Sequence, residues 1–411
     1  MTKRLLMTAA VLALVAAACG GANEPTSADD TTTAAPAAGE SVDETTTGSV
    51  AAPAIGVLPE GPSALDTSSS PEFPEPLIDP AEIISGGPPP DGIPPLDAPV
   101  FIDVADALEI FEPAEAVVAL EIDGEAKAYP VQIMIWHEIV NDEVGGVPVS
   151  VTYCPLCNSA VTYRREIRGV ETTFGTSGRL FASALVMYDR ATETMWTHFD
   201  GRAVVGLLAG EQLEAIPSPL LSWQDFADAY PTGKVLDPEA TGFSRAYGRN
   251  PYFGYDDAET EPFLFTGITD PRAASKDRIV GVEIGDEAIA FALDAISDGA
   301  AKATNYQFAD TDLVLLWKSG QATALEADGI EGGRDVGSVG VFLSTMEGRQ
   351  LTFEAEGDGF RDAETGSLWN VAGEATEGDL AGSRLERVNH LDTFWFAWAT
   401  YQPGSDLVEA P

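Results

Sequence analysis

The chain repeats itself, and the repeat narrows what it can fold into. LEIDGEAKAYPV (Leu120 to Val131) matches VEIGDEAIAFAL (Val282 to Leu293). FGTSGRLFA (Phe174 to Ala182) matches VGSVGVFLS (Val336 to Ser344), and DRATETMW (Asp189 to Trp196) matches DAETGSLW (Asp362 to Trp369). LAGEQLEAI (Leu208 to Ile216) matches LAGSRLERV (Leu380 to Val388), and LLSWQDFADAYP matches LDTFWFAWATYQP with one residue inserted. The order is constant and the offset stays between 162 and 173. Five matches in register predict two related halves, near 98–235 and 275–411, joined by a connector at 236–274.

Each half reads mostly as strand. VSVTY, AVTYRREI and ALVMY alternate, or run β-branched and aromatic. One short helix closes each repeat. Ser222 is placed to cap SWQDFADAY with Asp225 at the capping-box position, and Thr393 to cap TFWFAWATY. Trp395 and Trp398 share a face of the second helix and read as core. The expected fold class is α+β, β-rich: an internally duplicated domain of antiparallel strands.

The region before the repeat is different in kind. Lys3 and Arg4 precede an apolar run from Leu5 to Ala17, too short to span a bilayer and typical of a secretory signal over residues 1–18. The run ends in AAAC, which resembles a lipoprotein cleavage box and makes Cys19 the expected lipidated residue. Residues 20–100 hold 14 acidic residues and no Lys or Arg. With so little apolar surface, residues 19–97 read as a disordered acidic, proline-rich tether. The expected partner is therefore the membrane, through a lipid anchor at Cys19, and the expected location is extracytoplasmic. Residues 98–411 carry 52 acidic and 20 basic residues, a balance that argues against nucleic acid or anionic lipid as a partner.

Chemistry concentrates in VTYCPLCNSAVTY (Val151 to Tyr163), which holds two of the three cysteines. Aligned on the repeat, Cys154 falls opposite Trp317 and Cys157 opposite Gly320, and neither His137 nor His198 has a histidine opposite it. The fold therefore does not require these four residues, and their confinement to the first half predicts a site there. The predicted arrangement is strand, CPLC turn, strand, with WKSG making the same connection in the second half. Such a turn resembles the metal knuckle of rubredoxins and zinc ribbons. Two thiolates with one or two imidazoles suit zinc or copper. An extracytoplasmic pair can equally be a disulfide or a redox dithiol, so metal binding, redox exchange and a structural staple in a non-enzymatic binding or scaffolding module all stay open. A hairpin over HEIVNDEVGGVPVSVTYC makes His137 the favoured third ligand, with Cys154, Cys157 and His198. The segment TGFSRAYGRNPYFGYDD gathers Arg245, Tyr247, Arg249 and Tyr252, a candidate anion or ligand loop or a rigid connector.

WHEIVND, VTYCPLCNSAVTY, FGTSGRL with ALVMYDRATETMW, and TGFSRAYGRNPYFGYD together resemble the bacterial domain-of-unknown-function family 3179, over about residues 98 to 405. The resemblance implies a secreted or lipid-anchored protein and carries no established activity. It implies that His137 and the two cysteines belong to the family motif, while the position of His198 is more often glutamine.

Overall fold

The computed structural model describes residues 56–410; the expected signal peptide, Cys19 and the first part of the tether lie outside the described residues. Within them the chain is 39% strand and 10% helix, a β-rich α+β protein of several antiparallel sheets. The alternating segments give up one face, or both, to the interior. Val117, Val118, Val149, Val151, Val280 and Val282 are all fully buried, as β-branched side chains on a pleated surface favour.

Three arrangements occur twice. In the first, Ala116–Ile122 and Glu125–Pro130 form a hairpin. Leu220–Ser222 flanks it on one side and Lys234–Leu236 pairs parallel on the other. Arg278–Ile284 and Glu287–Ala292 form a matching hairpin, flanked by His390–Phe394 and, in parallel, by Asp406–Val408. Each flanking strand runs straight into a helix, Trp223–Ala229 or Trp395–Tyr401. In the second, Ile139–Val144, Val147–Cys154 and Ser159–Arg164 are neighbours in order, as are Ala301–Phe308, Thr311–Lys318 and Ser338–Leu343. In the third, Phe174–Phe181, Ala184–Asp189, Met195–Thr197 and Ala203–Val205 form a meander, matched by Phe353–Glu356, Gly359–Asp362, Leu368–Trp369 and Ala375–Glu377.

The contacts recur in detail. Asn141 binds the backbone of Phe174 through both ends of its amide, donating at 2.8 Å and accepting at 2.9 Å. Asn305 binds Phe353 in the same way, at 2.8 and 3.0 Å. Phe174 stands edge-on to Trp196 and Phe353 to Trp369. The Trp196 indole donates to Asp189 at 3.0 Å, and that of Trp369 to Asp362 at 2.9 Å.

This geometry corrects one sequence match. Phe174 occupies the place of Phe353, not Val336, because Ser338–Leu343 pairs with Thr311–Lys318. Cys154 pairs with Ser159 and Lys318 with Ser338, so Lys318, not Trp317, stands in the register position of Cys154. WKSG is not a tight turn. A loop over 319–337 replaces it and lies along the connector, where Asn250, Gly254 and Tyr255 donate backbone hydrogen bonds to Asp328, Glu326 and Leu325.

Two further expectations are corrected. Ser222 caps its helix by accepting from the backbone N–H of Asp225 at 3.0 Å. Thr393 does not cap the other: the N-cap is Phe394, and the Thr393 hydroxyl donates to the Cys157 carbonyl at 2.7 Å. From Gly56 the expected tether is packed on the domain. Ile84–Ser85 pairs with Leu180 and Arg179, and Leu96 exchanges backbone bonds with Ile139 and Asn141, each 2.9 Å. Its apolar residues are sparse, but an extended chain needs few of them when it borrows a finished sheet edge for its hydrogen bonds.

Replacing Asn141 with Ala leaves the buried N–H and C=O of Phe174 without partners. It should cost about 2 kcal/mol in urea unfolding, and Asn305→Ala about 1 kcal/mol at its more exposed site. A loss below a few tenths in both would contradict the role given to these amides.

Candidate metal centre

The CPLC segment is a tight turn between two strands, Val147–Cys154 and Ser159–Arg164. Asn158 closes it with φ 51°, a conformation that asparagine tolerates better than most residues. Three polar groups of the turn bond to the connector or the second half. The Leu156 carbonyl accepts from the Tyr255 hydroxyl at 2.9 Å. The Cys157 carbonyl accepts from Thr393 Oγ1 and, at 3.1 Å, from the Phe394 N–H. The Asn158 amide accepts from Arg278 at 3.2 Å and donates to Asp392 at 3.3 Å.

The sulfurs face inward and meet His198. Cys154 is 1% exposed, Cys157 and His198 are 0% exposed, and their ligand atoms all lie within 4.8 Å of one another. Two thiolates sharing one tetrahedral zinc stand roughly 3.8 Å apart, so a small inward shift closes the set on an ion. Both cysteines are free thiols. Among the described residues neither ring nitrogen of His198 has a hydrogen-bond partner, although both are buried. A buried imidazole with nothing to bind is uncommon, because the lost hydration must be offset by some partner.

The electrostatics separate the two sulfurs. Burial pushes the Cys154 thiol up. The Cys157 thiol and the backbone N–H groups of Cys157, Leu185 and Leu156 stabilise its thiolate more strongly, so the net shift is downward. Burial and the neighbouring Cys154 push Cys157 well up. Burial lowers His198 to about 3, which keeps it neutral with a free lone pair. Glu138 is buried too. Its carboxyl is pushed well above the usual range, by burial first and then by Cys154. It follows the helix Val131–His137 with φ 59°, a left-handed turn at a residue that rarely adopts one. The apolar segment VQIMIW has no polar face to mark it as helix, so neither this helix nor Glu138 is legible in the sequence.

His137, the favoured third ligand, is a correction: it does not join the cysteines. The hairpin itself forms, with Asn141 opposite Ser150, but His137 is the last residue of the helix, not part of the strand. Its Nδ1 lies 2.7 Å from the Pro94 carbonyl and must donate to it, so Nε2 accepts from the Tyr247 hydroxyl at 2.7 Å. Burial lowers its pKa to about 4. The four residues of the candidate anion loop go to separate contacts. Tyr247 serves His137 and Arg245 lies over Phe243. Arg249 pairs with Asp328 at 2.6 Å in solvent, and Tyr252 packs on Tyr255.

Two buried thiols beside a buried imidazole, in a β-rich α+β scaffold, form an internal Cys2His cluster of residues that could hold a metal ion. The chain belongs to the family described as Protein of unknown function (DUF3179), whose family model matches residues 90–405. No curated protein and no solved structure matches it.

His137, His198 and His390 all have lowered values, about 4, about 3 and about 4, with burial the first cause of each. A base held neutral by folding stabilises the fold fully above its unfolded pKa near 6.5 and loses that contribution as pH falls below it. Between pH 7.5 and 5.5 each should cost the metal-free protein about 1.4 kcal/mol. Buried carboxyls with raised values, Glu138 among them, act in the opposite direction, so the loss is read as a difference: between the two pH values the urea-unfolding stability of His198→Gln should fall by about 1.4 kcal/mol less than that of wild type. A variant with the wild-type pH dependence would contradict the assignment.

Proposed function

We propose that this protein is an extracytoplasmic, lipid-anchored metal-binding protein that holds one zinc or copper ion on Cys154, Cys157 and His198. The observation that carries this reading is the His198 ring, fully buried, unpartnered at both nitrogens and within 4.8 Å of two buried thiols. Thiol–disulfide exchange with a partner protein is disfavoured because an incoming sulfur must approach in line, and both sulfurs are enclosed. A bare cation meets no such barrier. The N–H groups facing Cys154 stabilise a thiolate whether or not an ion is present, as a metal knuckle requires.

The recurrence of the Asn–Phe–Trp–Asp contacts supports a duplicated domain in which only the first copy holds the site. Lys318 at the Cys154 position, and the loop 319–337 in place of the CPLC turn, account for the second copy's lack of it. The signal peptide and AAAC sequence support attachment at Cys19.

Elemental analysis of the chain purified under reducing conditions should find about one zinc or copper per molecule. Cys154→Ser with Cys157→Ser should abolish it, and His198→Ala should weaken affinity at least tenfold. A wild-type protein with no bound metal and a quantitative Cys154–Cys157 disulfide would replace this reading with the structural staple.

A further inference from the structure

A cleft of about 120 Å³ opens at the seam between the halves, lined by Tyr163, Phe199 and Asp200 from the first and by Glu283, His390 and Trp398 from the second. Three links join it to the buried cluster. Asp200 and Phe199 sit in the same turn as His198. The Tyr163 hydroxyl donates to the His198 carbonyl at 2.8 Å. The Phe199 ring, part of the cleft wall, stacks on Tyr401 with centroids 4.5 Å apart.

Tyr401 supplies the intermediate step. Its hydroxyl is buried and has no hydrogen-bond partner among the described residues. Burial first, and then the nearby Asp200, Cys157, Cys154 and Tyr163, push this hydroxyl well above its usual range. Through its stacking on Phe199 the ring adjoins the cleft wall. Each carboxylate keeps an oxygen for a cation. Asp200 Oδ1 accepts from the Thr197 hydroxyl, while its Oδ2 pairs at 3.1 Å with Arg202, which is 53% exposed and free to swing away. Glu283 accepts from Gln402 at 2.7 Å.

Resting on the metal reading above, we infer that this cleft is the loading passage of the Cys2His site: Asp200 and Glu283 capture a hydrated transition-metal cation, which passes the Phe199–Tyr401 pair to reach the thiolates. An ion bound for a fully enclosed site must shed its water in stages, since complete dehydration in one step is costly. Carboxylates are weak, hard ligands for zinc or copper and release the ion to thiolates. Negative charge in a cleft also raises the local cation concentration and speeds capture.

The test uses the full chain, reduced and metal-free, mixed with Co(II) at low ionic strength. The thiolate-to-cobalt charge-transfer band is followed in a stopped-flow instrument. Wild type should bind one Co(II) per chain. Asp200→Asn with Glu283→Gln should reach the same stoichiometry and band at least tenfold more slowly, and added salt should narrow the gap. Glu283→Gln alone, at an exposed position, should slow loading about threefold and serves if the double variant does not fold. Rates within error of wild type would overturn the passage and leave the metal site standing. A variant that loses the band would make the carboxylates ligands and likewise overturn it. A wild type that gives no band would overturn the metal reading itself.

Discussion

The structure depends on how the second half grips the cysteine turn. Arg278 lies at the centre of this grip, buried, 3.1 Å from both Asp256 and Asp392. Two carboxylates against one buried guanidinium are tolerable because Thr323, Arg334 and Asn158 take up the remaining lone pairs. Burial pushes Asp256 up, but Arg278 and its other partners hold it below the usual carboxylate range. Removing Arg278 would leave buried Asp392 without a cationic partner and Asp256 with Arg334 alone, which costs far more than the ion pair contributes. The same guanidinium donates to Asn158, next to Cys157, so the turn's conformation and the seam between the halves are set together.

This explains why strand arrangements that occur twice among the described residues come with a single cysteine turn. The Asn141–Phe174 and Asn305–Phe353 clasps are equivalent, and each half builds its meander around one tryptophan and one aspartate. The halves differ where they meet. The first contributes a short turn with two sulfurs. The second contributes the loop 319–337, which binds the connector and places Thr323 on Arg278. One half thus carries Cys154, Cys157 and His198, and the other fixes the peptide that bears the two cysteines.

Much of this could be read in the sequence, for local reasons. Alternation marked the strands, Ser222 and Asp225 marked a helix start, and strand-like residues on both sides of CPLC marked a turn. The failures were non-local. Strand register placed His137 near the cysteines only by running two residues past the strand's start at Ile139, through Glu138 into a buried helix with no polar face. Thr393 looked like a cap because nothing in its surroundings announces that Cys157 offers a carbonyl 236 positions away in sequence. The Val336 match failed because two glycines and an apolar pattern are compatible with either of two strands. His198 could be named as a candidate, but its isolation from every partner is visible only in three dimensions.

The central claim concerns two sulfurs and one nitrogen around a single ion, and X-ray absorption at the metal edge reads that set directly. On the full chain loaded with one equivalent of zinc, the account predicts two sulfur neighbours at about 2.3 Å and a nitrogen at about 2.0 Å. The nitrogen contribution should fall in His198→Ala. A spectrum with only oxygen and nitrogen neighbours, or one unchanged by loss of His198, would contradict it.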